Sequence, residues 1–165
     1  MGIPWHFDCS LLEIVPMSGI AKRPDKPFER PTKRVLIIDD EETIRQVLTE
    51  FFSSFNHGLT YKVETAKNGA EGVMMMLRGR PDLVLIDLHM PVMDGLQALK
   101  QLRGLDPNVP IMVITASRDT KAAAEALNQG VFAFIPKPFD FGQLEHLVAL
   151  ALPQGRPRPP SLSHA

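Results

Sequence analysis

The middle of the sequence alternates between two spacings of apolar residues, and this alternation limits the folds that the chain can adopt. Continuous apolar runs occur at 35–38, 83–86 and 111–114. After each run, apolar residues recur every three or four positions, which is the spacing of one face of a helix. The pattern predicts five strand–helix units and therefore an α/β fold, a doubly wound parallel sheet with helices on both faces. An eight-stranded barrel would need a longer chain.

Two further strands complete the predicted set of five. Residues 61–65 alternate between apolar and polar side chains, which is typical of an edge strand with one exposed face. Residues 131–135 are apolar throughout and by composition resemble a central strand. Gly130 is expected to end the fourth helix. The five helices are predicted around 44–55, 70–77, 96–102, 123–127 and 144–151.

Proline is concentrated at the two ends of the chain. Nine of the 15 prolines lie in residues 1–33 and 153–165, although the chain has 165 residues. A chain of this length predicts one domain. We therefore expect a single domain at 34–152, a flexible leader at 1–33 and a Pro-rich disordered tail at 153–165. Met17 is an alternative start to Met1.

Composition excludes several classes of protein. No apolar stretch is long enough to span a membrane, and no secretory signal precedes the domain. Cys9 is the only cysteine, so an intramolecular disulfide framework is excluded and a reducing, cytoplasmic location is expected. Residues 34–152 contain 11 Lys and Arg against 15 Asp and Glu, a net charge of −4 that disfavours direct binding of nucleic acid.

Chemically distinctive residues follow four of the predicted strands. Asp39 and Asp40 come after the first strand, Asp87 after the third, Thr115 ends the fourth, and Lys137 follows the fifth. Ligands of open parallel sheets bind beyond the carboxyl ends of the strands. We therefore expect these side chains to form one pocket with carboxylates, a hydroxyl and a lysine.

Each of these residues also has a purely structural interpretation. Asp40 suits the N-cap of a helix, Asp87 suits a turn, and Lys137 suits a solvated loop. Together they favour function, because two carboxylates about 4 Å apart repel by roughly 4 kcal/mol at an effective dielectric constant near 20. A divalent cation relieves that repulsion, and oxygen ligands suit Mg²⁺. One carboxylate can then act as a nucleophile towards a phosphoryl group. No Gly-rich phosphate loop follows any predicted strand, so a nucleotide site is not supported.

Four segments in order resemble the receiver domain of bacterial two-component response regulators. They are Val35–Glu41, Asp82–Gly95, Ile111–Ala116 and Ile135–Phe139. A paired acid after an apolar run is common, whereas all four segments in this order are specific. The resemblance covers 34–152 and implies the flavodoxin-like strand order 2-1-3-4-5, with the fifth strand at an edge.

The resemblance also implies a role for each acid of the site. Asp87 would be the phosphoacceptor that attacks the phosphohistidine of a histidine kinase or a histidine phosphotransfer protein. Asp40 and Asp87 would bind Mg²⁺ directly, and Asp39 would act largely through water. The backbone carbonyl of His89 would complete the protein ligands.

The resemblance also implies which residues would bind the phosphoryl group and which would transmit the signal. Lys137 would pair with the phosphoryl oxygens, and the Lys137–Pro138 bond is typically cis in this family. Thr115 would hydrogen-bond the phosphoryl group and move on activation, and Phe134 occupies the position of the switch aromatic. The face formed by the fourth helix, fifth strand and fifth helix would bind a downstream protein or a second copy of the chain.

These implications predict a stand-alone receiver that relays phosphorylation through protein–protein contacts and is not an enzyme beyond its own phosphorylation and dephosphorylation. Only 13 residues, 153–165, follow the predicted domain, too few for a DNA-binding helix-turn-helix domain. One alternative is an adaptor that works without phosphorylation. Another is a phosphohydrolase with an aspartate nucleophile, which would need a second catalytic acid where His89 stands. A truncated transcription regulator is a further alternative.

Overall fold

The computed structural model describes residues 31–55, 58–116 and 120–153. Ten elements alternate along the described chain, and they confirm the predicted α/β class. The strands are β1 (Thr32–Ile38), β2 (Thr60–Ala66), β3 (Leu83–Ile86), β4 (Ile111–Thr115) and β5 (Ala133–Pro136). The helices are α1 (Glu42–Ser54), α2 (Gly69–Arg78), α3 (Gly95–Leu105), α4 (Thr120–Asn128) and α5 (Phe141–Ala151). Residues 1–30 of the predicted leader and 154–165 of the predicted tail lie outside the described residues.

The five strands form one parallel sheet in the order β2-β1-β3-β4-β5. The three continuous apolar runs occupy its centre, where both faces of each strand are covered, as predicted. β2 lies at one edge, which its alternating sequence predicted. β5 lies at the other edge, as the resemblance implied and its composition did not.

The sheet separates two apolar clusters, because successive side chains of a strand point to opposite faces. Leu36 and Ile38 pack with α2, α3 and α4 on one face. Val35 and Ile37 pack with α1 and α5 on the other face. None of the helices in the described ranges is long and apolar enough to span a membrane.

The connection from α4 to β5 corrects one predicted boundary. We expected the fifth strand at 131–135, and it runs from Ala133 to Pro136. Gly130 has a φ of +71° and donates its N–H to the Leu127 carbonyl, which ends α4 as predicted. Val131 and Phe132 connect this turn to the sheet, where the Phe132 N–H donates to the Ile111 carbonyl at the start of β4. The strand therefore begins two residues later than its apolar composition indicated.

The start of α3 lies tightly against the loop that follows β3. The Gly95 N–H donates to the Leu88 carbonyl at 2.8 Å. A Cβ atom on Gly95 would lie 2.1 Å from the carbonyl oxygen of Asp87 and 2.5 Å from the Leu88 Cα. Both are backbone atoms and cannot rotate away, so Gly95 is needed where the helix approaches Asp87.

Replacing this glycine should therefore destabilise the fold. We expect Gly95→Ala to lower the free energy of unfolding by about 2 kcal/mol, because the backbone around Asp87 must shift. Gly104→Ala is the matched control in the same helix, since a Cβ there meets nothing within 4 Å. It should raise the free energy of unfolding by about 0.5–1 kcal/mol through helix propensity. Urea denaturation of both variants measures this, and equal effects would contradict the argument.

Candidate functional site

The register of the sheet places two acids side by side. Ile38 of β1 pairs with Ile86 of β3, so Asp39 and Asp87 leave the sheet at the same level. The Asp87 N–H donates to the Ile38 carbonyl at 2.9 Å, which continues the pairing by one residue. Both acids are buried, with 2% and 5% of their surface exposed. These two carboxylates of the predicted pocket are therefore inside the protein.

Lys137 reaches these acids from the far edge of the sheet. Its backbone N–H donates to the Thr115 carbonyl at 2.9 Å, which ties the end of β5 to the end of β4. Its ammonium donates to Asp39 Oδ2 at 2.7 Å, to Asp87 Oδ2 at 2.8 Å and to Glu41 Oε1 at 3.1 Å. The side chain is only 8% exposed, so the interpretation of Lys137 as a solvated loop residue is wrong. The peptide bond to Pro138 is cis, as the resemblance implied.

The two buried carboxylates are also oriented by backbone donors. Asp39 Oδ1 accepts the Glu41 N–H at 2.9 Å, and Asp87 Oδ1 accepts the His89 N–H at 3.0 Å. Asp87 thus has the turn contact that its structural interpretation predicted, while its other oxygen faces Lys137. His89 itself is exposed.

Asp40 does not cap the first helix. The N-cap of α1 is Glu41, which makes no capping bond through its side chain, so the N-cap interpretation of Asp40 is wrong. Asp40 is exposed instead. Carboxylate oxygens of Asp39, Asp40 and Asp87 all lie within 4.8 Å of one another. Carboxylate oxygens are the ligands that Mg²⁺ prefers, so these three residues would hold the ion.

Charge and burial oppose each other at this site. Burial raises the pKa of the Asp39 carboxyl, because the hydrogen bonds from Lys137 and from the Glu41 N–H, which lower it, only partly offset the lost hydration. Burial acts to lower the pKa of Lys137, yet hydrogen bonds to Asp39 and Asp87 outweigh it and raise that pKa. Lys137 is therefore a cation at neutral pH.

Two residues of the site were not assigned a role by the sequence reasoning. Glu41 is the third carboxylate on Lys137, and its position directly after the acid pair was the available signal. Arg45 donates from a guanidinium nitrogen to the Asp39 carbonyl at 2.6 Å and forms an ion pair with Glu42. Arg45 lies one turn into α1, and only the packing of α1 on β1 shows which carbonyl it reaches.

The other two predicted residues lie on β4 and β5. Thr115 ends β4 and is fully buried. Phe134 of β5 is half-buried and packs against the apolar cluster beneath α2, α3 and α4. The structure therefore brings Asp39, Asp87 and Lys137 into direct contact and packs Phe134 against that cluster.

Comparison with known families agrees with this geometry. The family model described as the response regulator receiver domain matches residues 35–149. The chain belongs to this family. Its receiver domain resembles the regulatory protein AtoC of Escherichia coli, at 36% identity over 119 residues. It also resembles the response regulator MprA of Mycobacterium tuberculosis, at 38% identity over 116 residues.

The matched relatives extend beyond the receiver. The matches cover 72% of this chain and 25% of AtoC, and 70% of this chain and 47% of MprA. The DNA-binding transcriptional regulator NtrC of Escherichia coli is 40% identical over 118 residues, which are 72% of this chain and 24% of NtrC. The chain thus spans about a quarter to a half of the length of these curated relatives.

Solved receiver structures share the fold over nearly their full length. The chemotaxis protein CheY4 of Vibrio cholerae has a TM-score of 0.65 and 28% identity, covering 73% of this chain and 99% of that one. A chain from the CheX–CheY–BeF₃–Mg²⁺ complex of Borrelia burgdorferi has a TM-score of 0.64 and 30% identity. The match covers 72% of this chain and 87% of that one.

The contacts of Lys137 predict its contribution to stability. Lys137→Met leaves Asp39 and Asp87 buried and facing each other without a cation. We expect the free energy of unfolding to fall by about 3 kcal/mol in EDTA, the cost typical of breaking a buried ion pair. Because Mg²⁺ would offset the same charge, the loss should be smaller when Mg²⁺ is present.

Lys67→Met is the matched control, since Lys67 is exposed in the loop after β2. Its effect should stay within about 0.5 kcal/mol. Urea denaturation with and without Mg²⁺ measures both variants. A loss for Lys137→Met no larger than the control's would show that the ammonium does not balance the buried acids.

Proposed function

We propose that this chain is a phosphoacceptor of a two-component phosphorelay, with Asp87 as the accepting residue. The observation that carries the proposal is the position of the Lys137 ammonium, 2.7 Å from Asp39 Oδ2 and 2.8 Å from Asp87 Oδ2. A buried cation at the end of three strands can stabilise negative charge that develops on a transferring phosphoryl group. The donor would be a histidine kinase or a histidine phosphotransfer protein.

The proposed reaction is a transfer between two side chains. An oxygen of the Asp87 carboxylate forms a bond to phosphorus, and the bond from phosphorus to the nitrogen of the donor's histidine breaks. Asp87 Oδ1 accepts the His89 N–H and Oδ2 accepts from the Lys137 ammonium, and since each carboxylate oxygen carries two lone pairs, these contacts do not prevent the attack. The imidazole leaves with the electron pair of the broken bond, so the atoms and charges balance.

The surrounding residues would prepare this step. The His89 N–H holds the Asp87 carboxylate in one orientation, and Lys137 lies where the new charge forms. Asp39, Asp40 and Asp87 would hold Mg²⁺, with the His89 carbonyl as a further ligand. When bound, Mg²⁺ would supply the charge that lets a phosphoryl group approach these acids.

Signalling would follow from the change at Asp87. A phosphorylated side chain carries a charge of about −1.5 to −2, against −1 for the resting carboxylate. The new oxygens would compete with Asp39 and Glu41 for Lys137 and attract the Thr115 hydroxyl. Movement of Thr115 would allow Phe134 and the face formed by α4, β5 and α5 to adopt a second packing.

The output of the chain belongs to the same proposal. Leu127 of α4 and Phe132 before β5 are 58% and 43% exposed, so the face formed by α4, β5 and α5 presents apolar surface for a downstream protein or a second copy. The chain would act in the cytoplasm, through protein contacts and without enzymatic activity on other substrates. We also propose that the chain acts as a stand-alone receiver. The curated relatives are longer than a receiver domain, so this part of the proposal does not rest on them.

A direct test is phosphorylation by a small donor. Incubating the protein with acetyl phosphate and Mg²⁺ should add one phosphoryl group, because the donor set and the lysine suffice for the transfer. Intact-mass spectrometry detects the adduct. Asp87→Asn should abolish it, and EDTA should prevent it.

Asp94→Asn is the matched control for this test. Asp94 is exposed and caps α3 through a bond from the Gln97 N–H, and asparagine is an equally good cap. This variant should still acquire the phosphoryl group. An adduct that persists in Asp87→Asn, or no adduct on the unmodified chain, would overturn the assignment of the acceptor.

The role proposed for Thr115 separates phosphorylation from signalling. Thr115→Val keeps the shape of the side chain and removes the hydroxyl. We expect the adduct on Asp87 to form, while the backbone amide shifts of Ala126 and Phe134 that accompany it become smaller. Heteronuclear NMR spectra with and without acetyl phosphate measure these shifts. Thr65→Val on the edge strand β2 is the control, and equal shifts in Thr115→Val and the unmodified chain would refute the role.

A further inference from the structure

An open groove runs between α1 and α5, the two helices that cover one face of the sheet in the described part of the chain. Its volume is about 820 Å³, within the range of roughly 300–1,000 Å³ typical of ligand pockets. The lining residues come from α1, from Phe55 directly after it and from α5. They are Val47, Glu50, Phe51, Ser54, Phe55, Phe141 and Glu145.

The floor of the groove is aromatic. Phe51 stacks on Phe55 with ring centroids 5.2 Å apart, and on Phe141 with centroids 5.7 Å apart. Phe141 is the first residue of α5 and remains 48% exposed. Phe55 is buried and Phe51 is half-buried, so the exposed ring of Phe141 is the aromatic surface that a Pro-rich segment would contact.

The rim of the groove is acidic. Glu50 and Glu145 are both exposed, and the seven lining residues include no cation. An occupant with apolar rings and positive charge would match the floor and the rim together. Apolar contact would supply most of the affinity, and the two glutamates would select for a basic segment.

The C-terminal segment of this chain has that chemistry. It contains Gly155-Arg156-Pro157-Arg158-Pro159-Pro160, with two cations, three prolines and no acid among its 12 residues from 154 to 165. Pro157 and Pro160 have the spacing of a P-x-x-P motif, which favours a polyproline II helix. We propose that residues 156–160 dock into the groove between α1 and α5 of the same molecule.

The chain has the length to reach the groove. α5 ends at Ala151, so Phe141 lies ten residues, or about 15 Å, back along the helix. Residues 153–155 lie between the cap of α5 and the docking segment, and we place the reversal of direction there, where Gly155 permits it. Five residues in polyproline II geometry span about 16 Å, so residues 156–160 then reach from the end of α5 back to Phe141.

The N-terminal segment differs from the C-terminal one in carrying acids. It has a P-x-x-P spacing of its own at Pro24 and Pro27, but Asp25 lies between these prolines, and residues 1–30 as a whole contain four cations and four anions. The C-terminal segment also continues directly from α5, which forms one wall of the groove. Its effective concentration at the groove is therefore high.

Paramagnetic broadening in the full-length chain tests this docking. A spin label is attached to the thiol that Ser161→Cys introduces, with Cys9→Ser removing the native one. The label should reduce the amide signals of Glu50, Phe51 and Glu145 relative to those of α2. Arg156→Glu with Arg158→Glu should abolish this loss of signal. Adding Glu50→Arg and Glu145→Arg to that variant should restore it, because the charges are then exchanged.

Three controls decide between occupants. Arg78→Glu with Arg80→Glu changes the net charge equally at exposed positions elsewhere and should leave the broadening intact. A label on native Cys9 reports the N-terminal segment, and broadening of the groove from that label alone would overturn the proposal. Broadening seen only when spin-labelled chains are mixed with isotope-labelled chains would show docking between copies and overturn it too. The absence of broadening from the label at position 161 would also overturn it.

Discussion

The ammonium of Lys137 is the interaction on which the functional end of this protein depends. It joins the carboxyl ends of β1, β3 and β5 by contacting Asp39 and Asp87 over separations of 98 and 50 residues. Without a cation, two buried carboxylates would face each other in a medium of low dielectric constant. The buried charge thus determines both the arrangement of the strand ends and what the site can bind.

The backbone around this charge leaves little freedom of position. Arg45 holds the Asp39 carbonyl from α1, and Gly95 lets α3 approach the Asp87 carbonyl closely. Each acid also receives a backbone N–H on the oxygen that Lys137 does not contact. The carboxylates are therefore oriented before any ligand arrives, which lowers the reorganisation that a phosphoryl transfer would need.

The two faces of the sheet differ in how completely the described helices cover them. Three helices lie on one face, whereas α1 and α5 share the other. The rings of Phe51 and Phe141 meet between α1 and α5, and Phe141 remains 48% exposed. The groove thus opens on the face that carries two helices.

Much of the architecture follows from the sequence, because strand and helix periods are local properties. The apolar runs determined which strands lie at the centre, and the polar residues after them marked the end of the sheet where the site lies. Contacts over long separations depended on the tertiary structure. The order of the strands brought Lys137 to Asp39 and buried it, and the packing of α1 on β1 aimed Arg45 at the Asp39 carbonyl. Asp40 suited a helix cap by sequence, yet the backbone placed Glu41 at the cap. The sequence by itself determined which chemical groups stand at the strand ends, and only the fold decided which of them meet, because each meeting requires strands far apart in the chain to become neighbours.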